Sequence, residues 1–407
     1  MSAGSSRFDA VVLNASQRQS LMSVRSLGRR GLTVAAAGNE RRIPAFASRW
    51  CAEGVVCPAD EGSDQYLEQL LAWLSPRRAG VLIPAHDGTI SVLRRHRARV
   101  ESVARLALAS EAALAIAVNK ERTLAVAQRL GLRAPVQERL TDAAQVSNAV
   151  AEIGLPAVIK PNESWVEQGD RGTWVGPELV FTAEEATRAV ERLTRSGQAV
   201  LYQQYLTGAR EAVSVLYARG EMYARFAQFA QRTHPPLGGQ SVLRCSMPVP
   251  DDIGRQAERL IREIDLEGYS EIEFRRDASG APYLMEINPR LSASVEVAVR
   301  AGVDFPWLLY QWASGGPIDR VTDYRIGTWM RHLGGDVTTT IEMIQDRGRR
   351  GGPPPARAAW DFIRAFFTPM GYDYFQWSDP VPAGLATLGF AREFLGRLRS
   401  LARKVLR

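Results

Sequence analysis

Cysteine is scarce in this chain and poorly spaced for chemistry. Cys51, Cys57 and Cys245 are an odd number with no CxxC pair and no Cys/His ligand spacing. That excludes a disulfide framework and fits a reducing compartment, with the three thiols read as packing residues. Long apolar runs are missing too. The opening "MSAGSSRFDAVVLNAS" has no basic stretch leading into a sustained apolar one, and no later window approaches a membrane span, so the expectation is a cytoplasmic protein. The first turn, "NASQRQS", lacks GxGxxG, which argues against classical dinucleotide binding. His86, His96, His234 and His332 show no metal spacing. A broad basic surface is also absent. The formal net charge is +7, but "AREFLGRLRSLARKVLR" alone holds six basic residues against one acidic. The remainder is nearly balanced, which speaks against a nucleic-acid-binding body.

What is present is an ordinary globular composition. At 407 residues, 45% hydrophobic and 23% charged, the chain is long enough for two or three subdomains with their own cores. "FDAVVLNASQRQSLMSVRSLGRRGLTVAAAGN" reads as strand, helix and strand, and a second unit ends in the apolar strand "GVLIPA". The first hundred residues therefore predict a small parallel α/β domain. From "VNKERT" onward the pattern becomes α+β. A strand lies near Val136, and Asp142 caps a helix running to Ile153. The strand "PAVIKP" leads into a Gly- and Trp-containing loop, "ESWVEQGDRGTWVGPELV", and a helix spans Ala183 to Arg195. Three β-rich runs and a helix from Ile253 to Ile264 follow, and "RGRRGGPPPAR" at 347–357 reads as an exposed loop.

Chemistry concentrates in "SEIEFRR" and "YLMEINPR", which flank the turn signal "DASG". Side chains alternate along a strand. If the turn holds an even number of residues, Glu271, Glu273, Glu286 and Asn288 share one face, while Ile272, Phe274, Met285 and Ile287 form the other. Carboxylates crowded together repel unless a cation sits among them, and an oxygen-only donor set suits Mg²⁺, or Mn²⁺ in its place. A solvated acidic face is the bland alternative. Lys120 at a helix start and Lys160 at a strand end are placed as phosphate-binding lysines would be. The loop after Lys160 is suited to close over phosphates.

The succession "VNK", "VIKP", flexible loop, "YQQYLTGAREAVSV", "EIEF" and "YLMEINPR" resembles the ATP-grasp superfamily over roughly residues 8–315. Within it the chain looks similar to carboxylate-amine ligases related to D-aspartate ligase and biotin carboxylase. The resemblance implies an α/β (α+β) ATP-grasp fold. Its parts would be a Rossmann-like domain at 1–117, a small subdomain with lid at 118–198, a large subdomain with the magnesium site at 199–318, and a C-terminal helical extension at 319–407. It further implies that Lys120 and Lys160 contact the ATP phosphates, and that the backbone around Gln204, Tyr205 and Leu206 pairs with adenine in a hinge that includes Gln203. Glu211 would take the ribose hydroxyls. Glu273, Glu286 and Asn288 would hold magnesium, and Arg290, with Lys160, would serve catalysis at an acyl phosphate. The implied reaction joins a small-molecule carboxylate to an amine, with ADP and phosphate released. His234, in the presumed substrate loop "RTHPPLGG", is not read as a base.

Two other classes stay open at this point: a kinase using the same nucleotide groups, and an inactive membrane-associated protein. The last favours a basic amphipathic tail helix, in which Phe394, Leu395, Leu398, Leu401, Ala402 and Val405 share a sector and Arg392, Arg397, Arg399, Arg403, Lys404 and Arg407 lie outside it. Packing of that helix on its own domain is the competing expectation. Oligomeric state is open.

Overall fold

A computed structural model describes residues 7–168, 171–195, 197–348 and 350–405. Strands β1 (Arg7–Val12), β2 (Val34–Gly38), β3 (Glu53–Val56), β4 (Arg78–Ile83) and β5 (Arg105–Leu106) form a parallel sheet in the order β3-β2-β1-β4-β5. Ala10, Val11 and Val12 of β1 are fully buried, as a parallel strand covered on both faces requires. The strand order reverses direction beside β1. The carboxyl ends of β1 and β4, carrying Asn14 and Asp87, therefore border the crevice where open α/β sheets place their ligands.

A second sheet is built from β6 (Gln137–Leu140), β7 (Ala157–Pro161), β10 (Glu178–Val180) and β11 (Val200–Gln204), in the order β10-β7-β11-β6. Between β7 and β10 the chain makes a separate hairpin of β8 (Trp165–Gln168) and β9 (Arg171–Trp174). Asp142 does cap the helical turn that leads into Val146–Ile153, with Gln145 closing a capping box. The expected boundary at 198/199 differs from the sheet's own limit. β11 pairs with β6 and β7, so residues 200–204 lie in this second layer.

The third sheet has seven strands: β12 (Arg210–Ala218), β13 (Glu221–His234), β14 (Gln240–Met247), β15 (Gly268–Arg276), β16 (Pro282–Asn288), β17 (Trp329–Arg331) and β18 (Gly371–Tyr372). Their order is β16-β15-β12-β13-β14-β17-β18. β17 and β18 come from the C-terminal extension, which is thus partly strand. Three aspartates of the extension enter arginine clusters. Asp336 accepts from Arg232 and Arg331, Asp373 from Arg18 and Arg244, and Asp379 from Arg25 and Ser48. The expected loop at 347–357 is helical from Pro355, the start of a helix to Arg364 with proline in its first turn.

The last helix, Val381–Val405, has Leu388 and Leu395 exposed, one heptad apart, while Phe390 packs beside Gly334. Side chains from Arg397 onward, which include most of the expected amphipathic set, lie outside the described residues. No helix among the described residues is long and apolar enough to cross a membrane.

Candidate active site

The β15–β16 hairpin sets the register. Glu271 lies opposite Asn288 and Glu273 opposite Glu286, but Phe274 lies opposite Leu284. The turn holds five residues, 277 to 281, between Arg276 and Pro282, so the expectation of an even turn fails. A β-bulge at Met285 adds the missing residue and restores the parity at the site. One assignment changes with it: Leu284 takes the core position beside Phe274, and Met285 lines the cavity.

The carboxylate face looks into a cavity of about 780 Å³. Lys120, Lys160, Glu273, Glu286, Asn288 and Arg290 all line it. Lys120 begins the helix Lys120–Arg129, whose cap is the Asn119 side chain. Its Nζ is 3.0 Å from Ser164 Oγ and 3.8 Å from Glu286 Oε2. Lys160 sits on β7, and burial, then Lys120, brings its pKa down to about 8. Burial works to raise Glu286, but Lys120 and Lys160 outweigh it and hold the carboxyl below its usual range. Glu273 differs: burial pushes it up to about 7 against the pull of Arg210.

Arg290 Nε and Nη2 meet both oxygens of Asp87 at 2.6 and 3.0 Å. This bidentate pair ties the crevice of the first sheet to the hairpin. The β8–β9 hairpin closes the same side. The indole of Trp165 packs edge-on to His86, ring centroids 5.6 Å apart, and over the backbone of Gly62 and Gly88.

At the hinge, Gln203 and Tyr205 line the cavity. The Gln204 backbone N–H donates to the Val136 carbonyl, and the Leu206 side chain is buried. Gln203 is fully buried, donates to Gln137, and leaves its Oε1 unpartnered. Glu211 is a correction. It pairs in register with Phe274 on the core face, accepts from Arg276 Nε at 2.9 Å and forms an ion pair with its Nη2 at 2.8 Å, so it does not face the cavity. Arg210 does. The signal was available in the sequence, because Glu211 shares parity with the core residues Val213, Val215 and Tyr217. Sequence reasoning also missed Asp87 and the wall supplied by the C-terminal extension, Glu342, Asp346 and Arg350. Arg350 reaches Glu185 at 3.0 Å and lies over the Phe181 ring. Those contacts cross some 165 residues of chain, and nothing local announces them.

A family model described as ATP-grasp in the biosynthetic pathway with Ter operon matches residues 196–333. The D-alanine–D-alanine ligase of Ectopseudomonas mendocina (strain ymp) is 28% identical over 215 residues, which are 48% of this chain and 64% of that protein. The chain thus spans under two thirds of that relative. Biotin carboxylase from Campylobacter jejuni, solved as a β-γ-ATP complex, superposes with a TM-score of 0.63 at 17% identity, over 79% of this chain and 74% of that one. An L-amino acid ligase from Bacillus licheniformis does so with a TM-score of 0.56 at 17% identity, over 77% and 76%. With lysines, carboxylates and hinge arranged around one cavity between the second and third sheets, the chain has the ATP-grasp fold and carries an ATP-grasp domain, similar in sequence to D-alanine–D-alanine ligases.

Proposed function

We propose that the chain is an ATP-dependent carboxylate-amine ligase of the cytoplasm. The observation that carries this reading is the convergence of Lys120, Lys160, Glu286, Asn288 and Arg290 on one cavity. A free carboxylate is a poor acyl donor because its leaving oxygen would depart as oxide. Attack of that oxygen on the γ-phosphorus of ATP expels ADP and makes an acyl phosphate. An amine then attacks the acyl carbon, inorganic phosphate leaves, and the nitrogen gives up a proton. Lys120 and Lys160 neutralise charge on the phosphates. Gln203 and Tyr205 flank the base, and the free Gln203 Oε1 suits the exocyclic amine of adenine. The hairpin bearing Trp165 keeps water from the acyl phosphate.

The hard-oxygen set fits a divalent ion in part. Glu286 has its cationic partner Lys120 3.8 Å away, beyond hydrogen-bond reach, and Asn288 stands beside it on the same strand face. These two would hold Mg²⁺, or Mn²⁺, which when bound supplies charge neutralisation across the phosphates. Glu273 fits less well, since both its oxygens already accept hydrogen bonds from Arg210 and Asn288.

The test is the product set. With a productive acid and amine, ADP and phosphate are expected, and acid with hydroxylamine should give a hydroxamate. A stable phosphorylated product would instead identify a kinase. AMP and pyrophosphate would overturn the ligase mechanism.

A further inference from the structure

Three carboxylates, Glu271, Glu273 and Glu286, face one cavity, and one of them, Glu273, already accepts hydrogen bonds from a resident cation. Arg210 Nε and Nη2 both donate to Glu273 Oε2, at 3.0 and 2.6 Å. Asn288 Nδ2 donates to Glu273 Oε1 at 3.1 Å. The Arg210 Nη1 donates to the Gly239 carbonyl. Gly239 adopts φ +87°, and a Cβ there would overlap the His234 carbonyl. Only glycine lets the loop come this close. The guanidinium is thus held from the strand and from the loop, with its side chain 23% exposed toward the cavity.

We propose that Arg210 stands in place of a second metal ion, so that this site binds its nucleotide with a single divalent cation, at Glu286 and Asn288, and with Arg210 as a fixed positive charge on the phosphate side. The inference rests on the ATP reading given above. A second divalent ion on Glu273 would have to displace a two-point, charge-assisted contact and then sit against a guanidinium of like charge. A guanidinium already in place does the electrostatic work of an ion without needing one from solution.

The experiment counts Mn²⁺ by electron paramagnetic resonance in the full chain saturated with the non-hydrolysable β,γ-imido analogue of ATP, and measures affinity for that analogue in EDTA. The wild-type chain should bind one Mn²⁺ and keep measurable affinity without metal. Arg210→Ala should gain a second Mn²⁺ and lose about tenfold or more of its metal-free affinity, while Arg210→Lys, which keeps the charge, should retain most of it. Two Mn²⁺ on the wild type overturns the inference, and this outcome needs no variant to fold. One Mn²⁺ with unaltered metal-free affinity in a folded Arg210→Ala overturns it as well. Absence of analogue binding by the wild type, with or without Mn²⁺, would instead remove the ATP reading on which the inference stands.

Discussion

Lys160 carries its charge under strain from two sources, burial and the neighbouring Lys120, which together bring its pKa from 10.5 to about 8. Because the folded value lies below the unfolded one, the folded chain binds fewer protons between about pH 8 and 10.5, and this group's penalty on stability is relieved as pH rises through that window. Phosphate affinity runs the opposite way. Binding of the ATP analogue should weaken from pH 7 to 9 as the ammonium is lost, and Lys160→Arg should flatten the profile; a flat wild-type profile would refute the phosphate role. Glu286 is the other residue whose chemistry is singular. Glu286→Gln should lower turnover by about a hundredfold or more, some 2.7 kcal/mol at ~1.36 per decade, with the thermal midpoint little changed. Near-normal turnover would remove it from the metal site. That Lys120, Lys160, Glu273, Glu286, Asn288 and Arg290 gather at one cavity was legible because alternation and element ends are local properties. Arg210 was overlooked beside Glu211 because one step along a strand exchanges faces, and the acidic neighbour carried the expected chemistry.

The hairpin β8–β9 and the helix Val381–Val405 pose separate questions as elements. Trp165 lies over Gly62 and Gly88, where an added Cβ on Gly88 would come within 2.7 Å of the indole. Gly88→Ala should therefore loosen the hairpin, seen as hydrogen exchange across 163–168 and 171–175 faster by roughly tenfold. Unchanged exchange would mean the indole does not rest there in solution. For the helix, exposed Leu388 and Leu395 continue the apolar sector read in the sequence, and the basic residues beyond them favour an anionic surface. Co-sedimentation with anionic vesicles should be lost when the chain ends at Ala391; equal binding by both forms, or by neither, rejects the membrane reading. Elements with strong periodicity, such as Ala183–Thr194 and Asp251–Glu263, fall within two residues of expectation. The bulge at Met285 and the strand β14 were not legible. A bulge has no fixed residue signature, and β14, which follows directly on the stretch read as the loop "RTHPPLGG", is made a strand by pairing with β13 and β17.

Across the whole molecule, the extension is held by buried charge. Asp373 sits between Arg18 of the first helix and Arg244 of β14, at 2.5 Å from each, and these arginines help hold it well below the usual carboxylate range against burial. His332, half-buried beside them, is pushed down to about 3, by desolvation first and then by Arg18, so it stays neutral at physiological pH. Asp373→Ala should cost about 3–5 kcal/mol in denaturant unfolding, because it strands two buried guanidinium groups; a loss under about 1 kcal/mol would show that water reaches them. None of this was visible in the sequence, where the extension showed aromatic content and a basic end but no partner for its aspartates. The Arg18–Asp373 pair joins positions 355 residues apart. The segments around Arg18 and Asp373 are therefore not freely exchangeable. A hybrid taking one of these segments from a related protein would inherit a buried charge without its mate, so productive recombinants should be those that draw both segments from the same parent.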